Sequence, residues 1–431
     1  MATNTVSRRE PLIERPEQRP AGPGDLRRDI GPGYIANSVI GLIFGASGPV
    51  AVILGVGVAG GLSAGELASW LFGVFFMGGL VSLVMSMVYR QPMGFAFTIP
   101  GVVLVGPALQ HLSWAEVIGA FFATGVLCIV LGATGLVRKL MDAIPMPIVM
   151  AMVAGVFLKF GTDLVDSVGA EPVIAGAMVI VYILLTRIPR LGKFMPPVLG
   201  ALGVGAIAIA ATGKFALEPG QMERIFAAPT LTAPQWSLQA MIELVVPLTI
   251  TVLVVQNGQG YAVLRQHGHN PPVTVTALAA GVGSVMNATV GASPACLTGP
   301  TNALLCASGT TRRQYAAGAS YGVVCMAFAL VAPAVTAILL ATPTAFILAL
   351  GGLAMLPSLR VAFVTSFHAK YTMGALITFV VTVSGLTILN IGSAFWGLVI
   401  GYLASRLLEW TDYQRKRKPR TEAAVDDSEE G

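Results

Sequence analysis

The sequence predicts an all-α integral membrane protein of fourteen transmembrane segments arranged as a seven-plus-seven inverted repeat. Hydrophobic residues make up 55% of its 431 residues and charged residues only 11%, against roughly 25% charged in a soluble domain. Apolar runs of about 17–25 residues, the length that spans a bilayer core as helix, recur from Gly33 to Trp410. Two short, proline-bearing segments, one in each half, echo each other, the second, Asn287 to Asn302, rich in small and polar residues. The mean hydropathy of +0.77 agrees. Lipid cannot satisfy an open sheet edge, and the runs lack the alternation of a barrel, so helices remain.

The spans follow the apolar runs. Span one, Tyr34 to Val58, is interrupted by Gly45-Ala46-Ser47-Gly48-Pro49, a cluster that predicts local unwinding. Span two runs from Ala64 to Tyr89, and span three, Phe95 to Leu109, is too short for an ordinary crossing. Spans four to seven are Ala115 to Leu136, Pro147 to Val165, Pro172 to Leu185 and Pro196 to Ala211. A more polar stretch, Thr212 to Ser237, separates the halves. Spans eight to ten are Leu238 to Leu264, Val273 to Met286 and the short Thr289 to Ala307. Spans eleven to fourteen are Tyr315 to Leu340, Thr344 to Leu359, Tyr371 to Leu386 and Ile391 to Leu407. The resulting organisation is a disordered tail 1–31, a first repeat 32–213, an external connection 214–237, a second repeat 238–410 and a disordered tail 411–431.

Charge tests this count. With the N-terminus inside, internal loops hold Arg90, Arg138, Lys139, Arg187, Arg190, Lys193, Arg265, Arg312, Arg313, Arg360 and Lys370, whereas external loops hold Lys214 and Arg224 beside Glu218 and Glu223. One missed span would invert the bias afterwards. Both termini are therefore expected in the cytoplasm of a bacterial-type inner membrane. The net charge of +5 reflects this orientation and the Arg-rich tails, not a nucleic-acid partner. The four cysteines fall within spans without CxxC or Cys/His spacing, so no metal or other cofactor is implied. No HExxH, GxSxG or clustered acids mark an enzyme.

Internal matches support the repeat. Gly48-Pro49-Val50-Ala51-Val52 resembles Gln259-Gly260-Tyr261-Ala262-Val263, and Pro147 with Gly155 matches Pro343 with Gly351. In the short segments, Pro100 with Gly106-Pro107 pairs with Pro294 and Gly299-Pro300. Seven spans per half invert the second half, as in many alternating-access transporters. Each short segment is expected to cross as an extended stretch leading into a half-helix that starts just after Pro100 or Pro294. Two such N-termini converging at the midplane would receive an anion, or a polar edge, without Arg or Lys. Thr98, Ser293, Thr298, Thr301 and Asn302 lie beside these starts; single ones among them are needed to satisfy backbone freed by the prolines. Gln256-Asn257-Gly258-Gln259 places amides at membrane depth, suited either to substrate recognition or to interhelical packing. Among ionisable residues, Lys159 and Asp163 lie one helical turn apart, as an intramembrane pair or a solvated anchor, and Glu243 sits in the first turns of span eight. These three are the proton-coupling candidates.

At GFAFTIPGVVLVGPAL from Gly94, QNGQGYAVLR from Gln256 and ASPACLTGPTNALL from Ala292, the chain resembles the BenE-type benzoate/proton symporters. The resemblance covers about residues 32 to 410. It implies the fold shared with uracil and xanthine permeases and with sulfate and bicarbonate carriers. There, spans one to four and eight to eleven form a core, and the others a gate. The uracil-permease relatives carry a glutamate at the position matched to Gln256 and a Glu-Asn pair near Pro300 and Thr301; both acids are missing here, which suits an anionic substrate. Phe97 matches the position that stacks on the substrate ring, and Phe44 on broken span one supplies a second apolar wall. The resemblance thus implies import of benzoate or a similar aromatic carboxylate by proton symport, with the bilayer as surroundings and a homodimer by resemblance alone. A nucleobase or other anion permease of the same fold, or a passive anion channel, is the alternative.

Overall fold

The structure, a computed structural model, describes residues 13–137, 139, 144–188, 195–217, 225–368, 370–388 and 391–417. Arg8, Arg9, Arg138, Arg190, Lys193, Glu218, Glu223, Arg224 and the acidic C-terminal tail lie outside the described residues.

The protein is mostly helical. Among the described residues, six helices are long and apolar enough to cross a membrane, or seven if a pair bent by 63° at Ala329–Ala332 is one span. In order, α1 is Pro23–Asp29, α2 Pro32–Ala46, α3 Gly48–Ala59 and α4 Ala64–Tyr89. Strand β1, Phe95–Phe97, leads into α5, Ile99–Ala108, and then come α6, Trp114–Ala133, α7, Met146–Ala170, α8, Pro172–Arg187, and α9, Pro197–Thr212. The long helix α10, Leu238–Gln266, contains two wide π-helical turns, Met241–Val245 and Thr251–Gln256. Next come α11, Val273–Thr289, β2, Ala295–Leu297, and α12, Gly299–Cys306. The bent pair is α13, Tyr315–Ala329, and α14, Ala332–Leu340; α15, Thr344–Phe367, α16, Thr372–Val383, α17, Ser393–Leu408, and α18, Trp410–Arg417, complete the chain.

Local chemistry sets these boundaries. Ser63 and Ser113 open α4 and α6 with reciprocal caps, each serine amide donating to a glutamate, Glu66 or Glu116, at 2.8 Å. Prolines stand in the first turn of α2, α5, α8, α9 and α12, where the missing N–H costs nothing. The predicted interruption in span one is the break at Ser47 between α2 and α3. Gly48 belongs there because a Cβ would collide with Ala354.

Two compact units result: Met1–Ala143 with Phe157–Ser358, and Ile144–Val156 with Leu359–Gly431. This division differs from the core and gate implied above, since α8 and α9 stay with the larger unit. In the smaller unit α16 packs on α17, and Glu409 accepts from the first-turn amides of Met373 and Gly374 at 2.8 and 3.0 Å.

In the larger unit, α4 packs on α13 and α11 on α6, around the paired strands. Val252, Leu253 and Tyr261 of α10 join Phe95, Cys128, Cys296 and Leu297 in its buried core. All four cysteines are buried and unpaired, as packing residues.

The tails differ from expectation. Residues 13–31 are not a disordered arm. Glu14 accepts from the amides of Thr274 and Val275 at the start of α11, at 3.0 and 3.2 Å. Arg90 donates to Asp25 at 2.8 Å, and the Tyr315 hydroxyl to Asp29 at 2.8 Å. The Gly22 amide and nearby arginines hold the Asp25 carboxyl below its ordinary range; Arg28 and Tyr315 do the same for Asp29. Composition predicts a disordered tail, but its acids find donors on helix ends far away in sequence. Likewise residues 411–417 continue α18, where Asp412 accepts from the Tyr371 amide at 3.2 Å.

Candidate functional site

The site is built on the two short segments. β1 and β2 pair antiparallel, Phe95 opposite Leu297, Ala96 opposite Cys296 and Phe97 opposite Ala295. The ladder continues at both ends, Thr98 N–H donating to Pro294 O at 3.2 Å and Thr298 N–H to Gly94 O at 3.3 Å. Extended backbone buried this deeply must find partners, and each strand supplies the other's. Two serines finish the accounting. Ser82 of α4 accepts from Phe95 N–H at 2.7 Å, and Ser284 of α11 accepts from Ala295 N–H at 3.0 Å. Each also bonds the carbonyl one turn back in its own helix, at 2.7 and 2.6 Å. The sequence did not single out either one: Ser284 is the one serine of α11, but Ser82 is one of three on α4, beside Ser69 and Ser86.

This register corrects the motif alignment. Thr98-Ile99-Pro100 corresponds to Thr298-Gly299-Pro300, so Pro100 matches Pro300 as the second helical residue. Pro294 precedes β2, and Pro107 lies inside α5. The half-helix in the second segment therefore starts after Thr298 and not after Pro294.

The two helix N-termini differ. At α5, Thr98 Oγ1 accepts from Gly101 N–H at 3.2 Å. At α12, Thr298 makes no such cap, its hydroxyl is buried without a partner, and the amides of Gly299 and Thr301 have none among the described residues. Gln259 lies over this end: a Cβ on Gly299 would stand 3.0 Å from Gln259 Cβ and 3.4 Å from its Oε1. Gln256, in the wide turn one helical turn earlier, is 6% exposed and makes no side-chain hydrogen bond among the described residues. Residues 91–109, 256–266 and 287–307 contain no Asp or Glu. A partial positive helix end, two open amides and a free hydroxyl make an anion receptor.

The other candidates play supporting parts. Asn257 is fully buried; its Oδ1 accepts from Leu297 N–H at 2.8 Å, and its Nδ2 has no hydrogen-bond partner. Asn302 accepts from Gly94 N–H at 2.9 Å and donates to Gly94 O at 3.0 Å, so its amide holds the start of β1. Ser293 accepts from Trp70 Nε1 at 3.1 Å, and Asn287 donates to Ser293 O at 2.6 Å. Thr301 lies against Gly94, where an added Cβ would meet its methyl at 2.8 Å. Phe97 is buried edge-on to Phe75, centroids 6.4 Å apart, with Phe328 4.7 Å from Phe75. Phe44 is exposed on α2 and joins none of these ring contacts.

Of the ionisable candidates, Lys159 and Asp163 do pair, at 2.9 Å on α7, with the lysine side chain 76% exposed. Both readings of the pair, intramembrane or anchoring, are compatible with that geometry. Glu243 is buried in the first wide turn of α10, 2.9 Å from Nε2 of His111, a residue the sequence did not single out.

The family described as "Benzoate membrane transport protein" matches residues 28–407. "Inner membrane protein YdcO" of Escherichia coli (strain K12) is 27% identical over 86% of this chain and 95% of its own length. "Benzoate membrane transport protein" of Acinetobacter baylyi is 27% identical over 86% of this chain and 93% of its own. Among solved structures, SLC26A9 superposes with a TM-score of 0.62 at 16% identity, covering 88% of this chain and 66% of that one. The transmembrane domain of the cyanobacterial bicarbonate transporter BicA superposes with a TM-score of 0.60 at 16% identity, covering 90% and 99%.

Proposed function

The chain belongs to the benzoate membrane transport protein family, and on that premise we propose that it imports benzoate or a similar aromatic carboxylate with a proton, by alternating access. Family membership makes it a membrane transporter and not an enzyme. In this reading fourteen segments form two inverted repeats, core and gate domains rock about the short segments, and both termini lie in the cytoplasm. The loop charges support the orientation; a homodimer rests on resemblance.

One observation carries the substrate reading: the α12 N-terminus is open, with the Gly299 and Thr301 amides and the buried Thr298 hydroxyl unpartnered and no carboxylate in the surrounding segments. The substrate carboxylate sits there, with Gln256 and Gln259 donating from α10 and Phe97 presenting its ring to the aromatic face. Asn257 and Asn302 hold the strands that form this end, and Thr98, Ser293 and Thr301 shape it. An inside-negative potential opposes anion entry by roughly 2.3 kcal/mol per 100 mV, and one proton per anion cancels that charge.

The test is uptake of labelled benzoate into proteoliposomes, above protein-free vesicles, with and without an inward proton gradient, and with uracil, xanthine, sulfate and bicarbonate as competitors. Saturable uptake that the gradient stimulates and the inorganic anions leave unchanged is expected. No saturable benzoate uptake overturns the reading. Competition by bicarbonate or sulfate favours a small-anion permease, the second reading, which the likeness to BicA supports. Non-saturating flux indifferent to pH indicates a channel.

A further inference from the structure

We propose that His111 and Glu243 form the proton-binding site of this transporter, a carboxylate–imidazole pair joining the far end of α5 to α10. The inference rests on the proton-coupled reading above. His111 Nε2 and Glu243 Oε2 stand 2.9 Å apart, the glutamate side chain 5% exposed and the histidine 29%. A carboxylate this buried is tolerated when it is paired. Here its partner is an imidazole, the side chain that gains and loses a proton near neutral pH, whereas Arg or Lys would hold the charge fixed. The pair therefore has two states: one proton shared between acid and imidazole, with no net charge, or none and a net negative charge. The exposed histidine edge gives the proton a way in.

The surrounding backbone fits this use. Glu243 lies in a wide turn, Met241–Val245, and Pro247 lacks the N–H that would bond the Glu243 carbonyl. That turn packs against α5 and α6. α5 carries no titratable side chain. α6 contributes Glu116, whose carboxylate accepts from the amide and hydroxyl of Ser113, both at 2.8 Å; Cys128, farther along, belongs to the cluster with Cys296. The remainder of α10 near the turn, Leu238–Ala240 and Val246–Ile250, carries no titratable side chain.

The pair is also tied to the substrate end. α5 starts at Thr98, beside the strand crossing, and its ten residues span about 15 Å. Its last turn runs into His111, whose backbone N–H donates to Ala108 O at 3.1 Å, so the chain carrying the imidazole is fixed to the end of the helix. Near the other end, Gly101 packs against Leu248, five residues beyond Glu243. A charge change at the pair thus acts on both elements that frame the crossing.

The test separates substrate from proton. Benzoate self-exchange at equal pH on both sides reports binding and alternation; accumulation under a one-unit inward pH gradient, above protein-free vesicles, reports coupling. The wild type is expected to exchange and to accumulate roughly tenfold, as one proton per anion requires. Glu243→Gln and His111→Gln are expected to keep exchange within about twofold and to lose nearly all accumulation. Either variant accumulating like the wild type, or a wild type that exchanges but ignores the gradient, overturns the inference. Should the wild type exchange no benzoate, the substrate reading fails, and the imidazole nitrogen resonances of His111 in the full wild-type chain decide the pair. Resonances that change between about pH 5 and about pH 9 support it, and constant ones overturn it.

Discussion

The first and second short segments share a plan and differ in how each half-helix begins. Thr98-Ile99-Pro100 and Thr298-Gly299-Pro300 occupy equivalent places after antiparallel strands, yet Thr98 caps its helix and Thr298 does not. The sites also differ three residues on: a Cβ at Gly101 would collide with the Thr98 methyl in its capping rotamer, whereas the equivalent residue in the second segment is Thr301. One N-terminus is closed on itself and the other is left open for a ligand. Backbone accounting explains a second difference. Gly94 has an N–H that Asn302 satisfies, whereas its counterpart Pro294 has none, and Val102 suffices where Asn302 stands in the other half.

The largest effect should come from breaking that accounting. Asn302→Ala leaves the Gly94 amide buried and unpaired, a cost of about 1–3 kcal/mol, and is expected to lower the melting temperature of the purified protein by several degrees. An unchanged melting temperature would mean that Asn302 serves the ligand and not the strand.

Next in size is Thr301→Gly, which gives the second segment the glycine found three residues after Thr98 in the first and is expected to let Thr298 cap in the same way. A new cap is worth about 1 kcal/mol, close to the cost of a helical glycine, so stability should stay near wild type. The cap takes up the residue-301 amide, and benzoate affinity should fall roughly tenfold in equilibrium binding. Unchanged affinity would move the carboxylate away from α12. The converse, Gly101→Ala, should cost about 1 kcal/mol of stability by opening the α5 cap, with benzoate affinity unaltered.

These differences also mark what the sequence could and could not convey. Composition and run length place the long helices well: α4 spans Ala64–Tyr89 as expected, and the Ser47 break falls inside the predicted interruption. The short segments are legible as extended stretch plus half-helix because both are brief and carry matching prolines. Their register is not, since several prolines give competing matches and only the strand pairing selects Pro300 over Pro294. The duties of Asn257 and Asn302 are hidden for the same reason: a buried amide serves backbone or substrate equally until the orphan N–H groups are located. His111 and Glu243 lie 132 residues apart, beyond any local pattern. The order of residues 13–31 is hidden too, because the partners of their acids are distant in the chain.

The smallest effect sharpens the comparison at the residue between threonine and proline. In the first segment that residue is Ile99, which keeps a full side chain; in the second it is Gly299, because Gln259 lies over it. Gly299→Ala would bring a Cβ within 3.0 Å of Gln259 Cβ, so the glutamine must shift by a few tenths of an ångström. A neutral hydrogen bond lengthened or lost at the substrate is worth about 0.5–1.5 kcal/mol, so benzoate affinity should fall about two- to tenfold. Gln259→Ala should reproduce that loss, and the double variant should add little to either single one, because both act through one contact. Additive losses would show that the glycine makes room for the substrate itself, and that the open end of α12 recognises its carboxylate without Gln259.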